Sequence, residues 1–309
     1  VNHAVNEPVQ RRQRLMLFGV PLFGVLVEGA LVVSWSSGFV GVRFAIDQAP
    51  LFGILFWRSL VSGLLLLPFA LTIGPRLRWR ASIGQALFGA LAMGGYLAGF
   101  ASAIDLGVPT GLVALITDML PLAVAALSWP ILGQALSARQ WLGSAIGLGG
   151  LLIASAHAIT LGHVPLWSYG LPVIATLSLA LGVLLQKRYQ AVAMPVHQSL
   201  CIQCLAAAAA FAGPAWRDGG LAPVPDLGFV AGVLWLVLFA TFGAWTLYYL
   251  ALRKSSPARV TAVLYLSPPV TMIWAGVMFG ESLHWAMAAG LIVSLVGVAL
   301  VVQRPRGAP

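Results

Sequence analysis

The chain has 309 residues, 60% of them hydrophobic, and only 17 Lys and Arg with 8 Asp and Glu. Charged residues make up 8%, about a third of their share in a soluble domain, and mean hydropathy is +0.94. That excludes a set of soluble domains and points to a polytopic membrane protein; the net charge of +9 does not imply nucleic acid, because the basic residues are scattered over short separate segments.

Ten apolar spans fit, at about 21–45, 50–73, 81–104, 109–133, 138–156, 165–187, 195–214, 227–251, 257–280 and 283–303. Pro50, Pro109, Pro165, Pro195 and Pro257 separate several of them, as expected of a residue that cannot donate within a helix. Arg11, Arg12 and Arg14 precede the first span. Its apolar run is too long for a signal peptide and lacks a small-residue cleavage site, so it reads as an uncleaved span. Glu28, about seven residues in from the inner end, reads either as a snorkelling side chain or as a proton carrier. Trp35, Ser36 and Ser37 sit midway, where Trp35 lines either a cavity or a protein seam, and Arg43 at the outer end reaches the interface.

Span two carries Arg58, and span three carries Tyr96 near its middle. Span four, V-P-T-G-L-V-A-L-I-T-D-M-L-P-L-A-V-A-A-L-S-W-P-I-L-G from Val108 to Gly133, holds Asp118 and Pro121. An acid in hydrocarbon costs ~2.5–3.5 kcal/mol on insertion scales, so it implies a partner or a watery path. Pro121 leaves the carbonyl four residues back unpaired. Gly95 with Gly99 and Gly143 with Gly147 are small-residue pairs that allow close helix approach within the bundle. Cys201 and Cys204 lie inside span seven. No second Cys pair exists to complete a four-thiolate zinc site, so they read as two small helix residues. Trp245 and Tyr248 lie toward the inner end of span eight, where Tyr248 and Tyr249 suit an interfacial belt. Tyr265 and Pro268 lie near the middle of span nine.

With the N-terminus inside, 14 of the 17 basic residues fall on the cytoplasmic side: Arg11, Arg12, Arg14, Arg76, Arg78, Arg80, Arg139, Lys187, Arg188, Arg253, Lys254, Arg259, Arg304 and Arg306. Asp47, Asp105, Asp218, Asp226 and Glu281 fall outside, and both termini are expected in the cytoplasm. The halves also repeat. Pro21, Gly38 and Arg43 match Pro165, Gly182 and Lys187 at a spacing of 144, and Pro50 matches Pro195 at 145. Gly95 and Pro109 match Gly243 and Pro257 at 148, while Pro121, Gly133, Gly143 and Gly150 match Pro268, Gly280, Gly290 and Gly297 at 147. Five spans per half is an odd number, so the copies would be inverted, with a site near the midplane between them. The expected organisation is a cytoplasmic segment 1–20, repeats 21–156 and 165–303, and a tail 304–309.

W-S-S-G-F-V-G-V-R in span one, F-W-R-S in span two, and S-P-A-R-V-T-A-V-L-Y-L-S-P-P-V with F-G-E-S-L-H in spans nine and ten resemble EamA-type members of the drug/metabolite transporter superfamily. Within it the chain is most similar to the YddG-type amino-acid exporters of bacterial inner membranes. The resemblance covers nearly the whole chain. It implies an all-α fold of ten transmembrane helices around a central cavity walled by spans one, three, four, six, eight and nine. Two departures stand out: Gln134 follows Gly133 where the family usually has Glu, and Leu120 and Leu179 stand where aromatic-amino-acid exporters tend to carry Trp.

Candidate cavity residues are Trp35, Ser36, Tyr96, Asp118, Trp245 and Tyr265. Arg58 and Asp118 lie about eight and nine residues below the outer starts of their spans, roughly 12–14 Å deep at ~1.5 Å per residue. They are expected either to form a scaffold ion pair or to serve transport, with Asp118 meeting a substrate ammonium or the pair opening and closing with access. The expected function is export of amino acids, aromatic and other neutral ones, or of similar small metabolites. The alternatives are an exporter or importer of another metabolite, or a channel, although no filter loop or ring of like charge is visible. H-E-x-x-H, G-x-S-x-G and Walker motifs are absent, so no enzyme, cofactor, metal or self-contained ATP-driven pump is expected. The expected partners are the small-molecule substrate and the bilayer. Coupling to protons and oligomeric state stay open, a monomer being sufficient.

Overall fold

The computed structural model describes residues 16–17, 20–133, 137–160, 164–188, 194–254, 260 and 263–302. Arg11, Arg12, Arg14, Gln134, Pro257, Arg259, Arg304 and Arg306, with the side chains of Lys187, Tyr249, Arg253 and Lys254, lie outside the description. The fold is helical, apart from a two-residue antiparallel ladder between Met16–Leu17 and Val20–Pro21. Among the described residues seven helices are long and apolar enough to cross a membrane: Gly24–Ile46, Leu51–Thr72, Trp79–Asp105, Thr110–Leu132, Leu166–Gln186, Val196–Asp218 and Leu227–Tyr248. This is a polytopic membrane protein.

In chain order the helices are α1 (Leu22–Ile46), α2 (Leu51–Thr72), α3 (Trp79–Gly89), α4 (Tyr96–Asp105), α5 (Thr110–Thr117), α6 (Leu120–Leu132), α7 (Ala138–Thr160), α8 (Gly170–Arg188), α9 (Val196–Asp218), α10 (Leu227–Trp235), α11 (Ala244–Lys254), α12 (Ser267–Phe279) and α13 (Trp285–Val302). Prolines set several entrances. Pro50, Pro109 and Pro195 precede α2, α5 and α9, and Pro165 precedes a 3-10 turn at Leu166–Tyr169, each with φ from −52 to −56° and ψ from 130 to 142°. The extended ψ keeps proline outside the helix, where its missing N–H costs nothing. α10 starts instead on Asp226, whose Oδ2 accepts from the N–H groups of Gly228 at 2.7 Å and Phe229 at 3.1 Å.

Two spans contain π-helical stretches, Ala90–Gly95 between α3 and α4 and Leu236–Gly243 between α10 and α11. Two others are interrupted: α5 and α6 by a turn at Asp118–Met119, and the helical pair 263–264 and α12 by a turn at Tyr265–Leu266. α6 and α12 both close on a left-handed glycine, Gly133 at φ 69° and Gly280 at φ 70°, a conformation that favours glycine.

Lipid offers no hydrophobic drive between helices, so close backbone approach must hold the bundle. α7 and α13 meet along glycines. A Cβ on Gly290 would strike Gly150 O and Ala154 N, and one on Gly297 would strike Gly147 N and Gly143 O. Ser294 Oγ adds a hydrogen bond to Gly147 O at 3.1 Å. Gly95 and Gly99 fit against Ser178 and Ala175 of α8, and Gly147 against Leu122 of α6. Both expected small-residue pairs thus pack inside the bundle. α2 lies along α9, where Gly63 receives Leu205 and its carbonyl accepts Cys201 Sγ at 3.4 Å.

Gly290→Ala should therefore lower the melting temperature in detergent, by overpacking worth about 1–3 kcal/mol. Gly149→Ala, with nothing within 4 Å of the added Cβ, should leave it unchanged. Equal melting of the two variants would show that the α7–α13 contact contributes no constraint.

Candidate functional site

The two interrupted helices make the site. After Thr117, Asp118 takes φ −75° and ψ −3°, and the Met119 N–H bonds back only three residues, to Ile116 O at 3.2 Å. Pro121 follows in the first turn of α6 and has no N–H to return to Thr117. The second break repeats this 147 residues later: Leu266 has φ −80° and ψ −7°, its N–H bonds to Val263 O at 3.0 Å, and Pro268 sits in the first turn of α12. Asp118 and Tyr265 thereby hold equivalent positions, as do Leu120 and Ser267.

Around the first break stand Trp35 and Tyr96, and around the second Ser36 and Ser267. The Asp118 carboxyl faces the Ser267 hydroxyl and the Trp35 indole without closing a full hydrogen bond to either, and its Oδ2 is buried with no partner. The Tyr96 phenol lies beside the Thr117 hydroxyl and within electrostatic reach of both Asp118 and Arg58. Tyr265 lies within reach of Asp118, and its hydroxyl is buried with no hydrogen-bond partner. Trp35 joins an aromatic trio, 6.4 Å between ring centroids to both Trp245 and Tyr248, which are 6.0 Å from each other. Tyr248 therefore has aromatic packing partners within the bundle. Trp35, Tyr96, Asp118, Trp245 and Tyr265 are all half-buried. Ser36 is not: it is 0% exposed, and its hydroxyl donates to Ser267 O at 3.2 Å. It ties α1 to the second break and does not line a cavity.

The expected Arg58–Asp118 ion pair is not formed. Among the described residues the ion pair is Arg43–Asp47, at 2.6 Å. Arg58 is 7% exposed; its Nη2 reaches Thr241 Oγ1 at 3.4 Å, and its Nη1 is buried with no partner. Its electrostatic neighbours are Cys204 and Tyr96. Equal depth is grounds for reach but says nothing of direction around the helix, and Arg58 points to α9 and the π-helical stretch that carries Thr241. Glu28 is 5% exposed and engaged by a partner, so it does not snorkel. Arg43, at the outer end of α1, pairs with partly exposed Asp47 at 2.6 Å and lies 4.9 Å from the centre of the Phe279 ring. Cys201 and Cys204 are free and buried, the latter 3.8 Å from Met93 Sδ.

Two contributors escape a reading of the sequence. Ser267 could have been found, because it stands one residue before Pro268 at the position that Leu120 takes before Pro121. Glu281 stands in the F-G-E-S-L-H motif, but nothing in the sequence points to its partner. Its carboxylate accepts from the Thr110 N–H at 2.8 Å and from the Thr110 hydroxyl, capping α5 from the far half of the chain. It lines a cavity of about 300 Å³ with Arg43, Val108 and Pro109. A second cavity, of about 540 Å³, is lined by Phe52, Asp105, Trp167 and Asp218.

A model of the EamA-like transporter family matches residues 22–156 and again 166–303. The uncharacterized inner membrane transporter YedA of Escherichia coli K12 is 29% identical over 283 residues, covering 90% of each chain. A probable terminal-alkyne amino-acid exporter of Streptantibioticus cattleyicolor is 27% identical, over 89% of this chain and 92% of that one. A probable amino-acid metabolite efflux pump of Salmonella typhimurium is 24% identical, over 87% and 91%. A solved crystal structure covering 91% of this chain and 97% of its own superposes with a TM-score of 0.62 at 16% identity, a likeness of fold.

Because Arg58 and Asp118 are not paired, Asp118→Asn and Arg58→Gln should show a coupling well below the ~3–5 kcal/mol of a broken buried pair, read from melting of the two singles and the double. Full rescue of Asp118→Asn by Arg58→Gln would show that the two charges are coupled in the wild type. Replacing Cys201 and Cys204 together by Ala should leave transport intact; loss of activity restored by zinc or an oxidant would assign them a role.

Proposed function

The chain belongs to the EamA-like transporter family, and from that premise we propose that it is a secondary transporter exporting amino acids, aromatic and other neutral ones, or similar small metabolites by alternating access. Family membership makes it a transporter rather than an enzyme. In the proposed arrangement ten transmembrane helices form two inverted five-helix repeats, 21–156 and 165–303, in the inner membrane with both termini cytoplasmic. Three features support the repeat: the paired breaks before Pro121 and Pro268, the paired π-helical stretches, and the left-handed caps Gly133 and Gly280. The names of the exporter and efflux-pump relatives support the substrate class, and the name of YedA supports the membrane.

The observation that carries the proposal is the pair of broken helices in one bundle with half-buried Trp35, Tyr96, Asp118, Trp245 and Tyr265 around the breaks. Interrupted helices at membrane depth are tolerated where they meet protein or a watery cavity, and a site of this kind at the junction of repeats is a recurrent transporter plan. Aromatic rings offer apolar contact to varied side chains, while the polar groups of the breaks offer hydrogen bonds to a zwitterion's charged ends.

Counterflow of labelled amino acids in proteoliposomes tests this reading. Trp35→Ala and Tyr96→Ala should each lower exchange by roughly tenfold, equivalent to about 1.4 kcal/mol, at equal protein level. Wild-type rates in both would reduce these rings to packing. For the topology, cysteines introduced near Arg78 and Arg139 should react only from the cytoplasmic side, and cysteines near Asp47, Asp105 and Asp226 only from outside. Labelling of Arg78 and Asp47 positions from the same side would break the ten-span arrangement.

A further inference from the structure

The bend between α2 and α3 carries Arg76, Leu77, Arg78, Trp79 and Arg80 in one run. The arginines and Trp79 are all exposed, Trp79 at 69%, and Arg80 lies 5.6 Å from the centre of the Trp79 ring. The bend is fixed by the start of α9. Gln198, 1% exposed, donates from Nε2 to Ala70 O and to Pro75 O, each at 2.9 Å, and His197 Nε2 lies 2.8 Å from Ile73 O. The arginines thus stand on an anchored strap. No carboxylate answers them: among the described residues the ion pair is Arg43–Asp47, and Asp105, Asp218, Asp226 and Glu281 fall on the other side in the topology proposed above.

These charges also oppose the helix they open. Arg78 immediately precedes α3 and Arg80 lies in its first turn, where the helix macrodipole disfavours a cation, and no side chain caps that start. Basic residues at other helix ends are accommodated. Arg43 and Arg217 lie in last turns, and Arg188 donates to Ile131 O at 2.9 Å. Arg139 enters α7 behind a reciprocal cap, in which the Gln140 N–H donates to Ser137 Oγ at 3.3 Å and the Ser137 N–H to Gln140 Oε1 at 2.9 Å. At α3 an anion would answer the arginines and the dipole together.

The surface beyond the arginines narrows the kind of anion. Trp79, Ile83 and Leu87 recur every four residues and are 69, 49 and 63% exposed. Gln85 and Gly89, on the opposite face, are buried, with Gly89 against Gln203 of α9. An outward apolar stripe therefore runs ~12 Å along α3 from the arginines, at ~1.5 Å per residue. Free phosphate would use the charges and leave the stripe bare. A phospholipid uses both, its phosphate on the arginine forks and an acyl chain along the stripe, with Trp79 at the level of the headgroups.

We infer that strap and stripe form a docking surface for an anionic phospholipid of the leaflet at this end, the cytoplasmic one in the proposed topology. The inference rests on that membrane reading and adds a specific lipid partner, distinct from any transported substrate. Arg76, Arg78 and Arg80 hold the headgroup, and Gln198 keeps the strap in position.

The test uses the purified, delipidated full chain in a neutral detergent. The probes are phosphatidylglycerol, phosphatidylcholine with the same acyl chains, and inorganic phosphate, read by lipid retained in native mass spectrometry and by melting shifts. Wild type should retain phosphatidylglycerol and be stabilised by it, with no comparable response to the other two. Arg78→Gln and Arg80→Gln should each weaken the apparent affinity for phosphatidylglycerol roughly fivefold, the effect of one basic residue at an anionic surface. Arg217→Gln removes the same charge at the far end of α9 and should leave that affinity unchanged. Equal affinity of wild type for phosphatidylcholine, an equal shift with inorganic phosphate, or no binding of either lipid overturns the docking surface without recourse to any variant. Equal weakening by Arg217→Gln and a folded Arg78→Gln also overturns it, by reducing the effect to net charge. Orientation plays no part in detergent, so failure of the topology is read separately, by the labelling near Arg78.

Discussion

A helix in lipid has no water to complete its hydrogen bonds, so every interruption of its ladder must be answered from within the protein. The chain concentrates its interruptions at two places, ahead of Pro121 and ahead of Pro268, and it brings the two together. Several polar side chains of the bundle gather around these breaks. Ser36 gives its hydroxyl to the carbonyl of Ser267 at 3.2 Å, and the phenol of Tyr96 settles beside Thr117. The same two interruptions that cost backbone bonds place the Asp118 carboxyl within reach of the Ser267 hydroxyl and of Tyr265.

The π-helical stretches act on the same geometry from the side. A π-turn inserts one residue and rotates the remainder of its helix by about 100° relative to an unbroken one. The Thr241 hydroxyl donates to Leu236 O, five residues back, at 2.9 Å, and accepts from Arg58 Nη2 at 3.4 Å. Glycine and alanine packing elsewhere, along α7 with α13 and α4 with α8, keeps the frame tight, and Ser294 adds one hydrogen bond to the first of these seams. Rigid seams built from small residues thus surround a centre built from broken helices and aromatic rings.

Much of this is legible in the chain. Proline entrances at Pro50, Pro109, Pro165 and Pro195 are local effects of one residue on its own backbone, so they appear where the residue appears. The breaks before Pro121 and Pro268 are local in the same sense, and the spacing of 147 announces their equivalence. What cannot be read is azimuth. Arg58 and Asp118 share a depth, but the direction of each side chain depends on helix rotation and on the π-turns, which composition does not mark. Ser36 shows the limit most plainly: next to half-buried Trp35 in sequence, it lies about 100° round the helix and is sealed in the bundle. The family relationship is readable from motifs in spans one, two, nine and ten, whereas the Glu281 contact to Thr110, spanning 171 residues, leaves no local trace.

That contact has a mechanical consequence. Glu281 directly follows the glycine that closes α12, and Thr110 opens α5, so the carboxylate clamps the ends of these two segments to each other. Gly111 is pressed against Met272 just beyond, which removes the slack between them. α5 and α12 thus form one stiff block, bounded on the inner side by the turns at Asp118 and Tyr265. Pulling the outer ends of α5 and α12 apart would require breaking the clamp first, and Asp118 and Tyr265 stand at the opposite boundary of the clamped block.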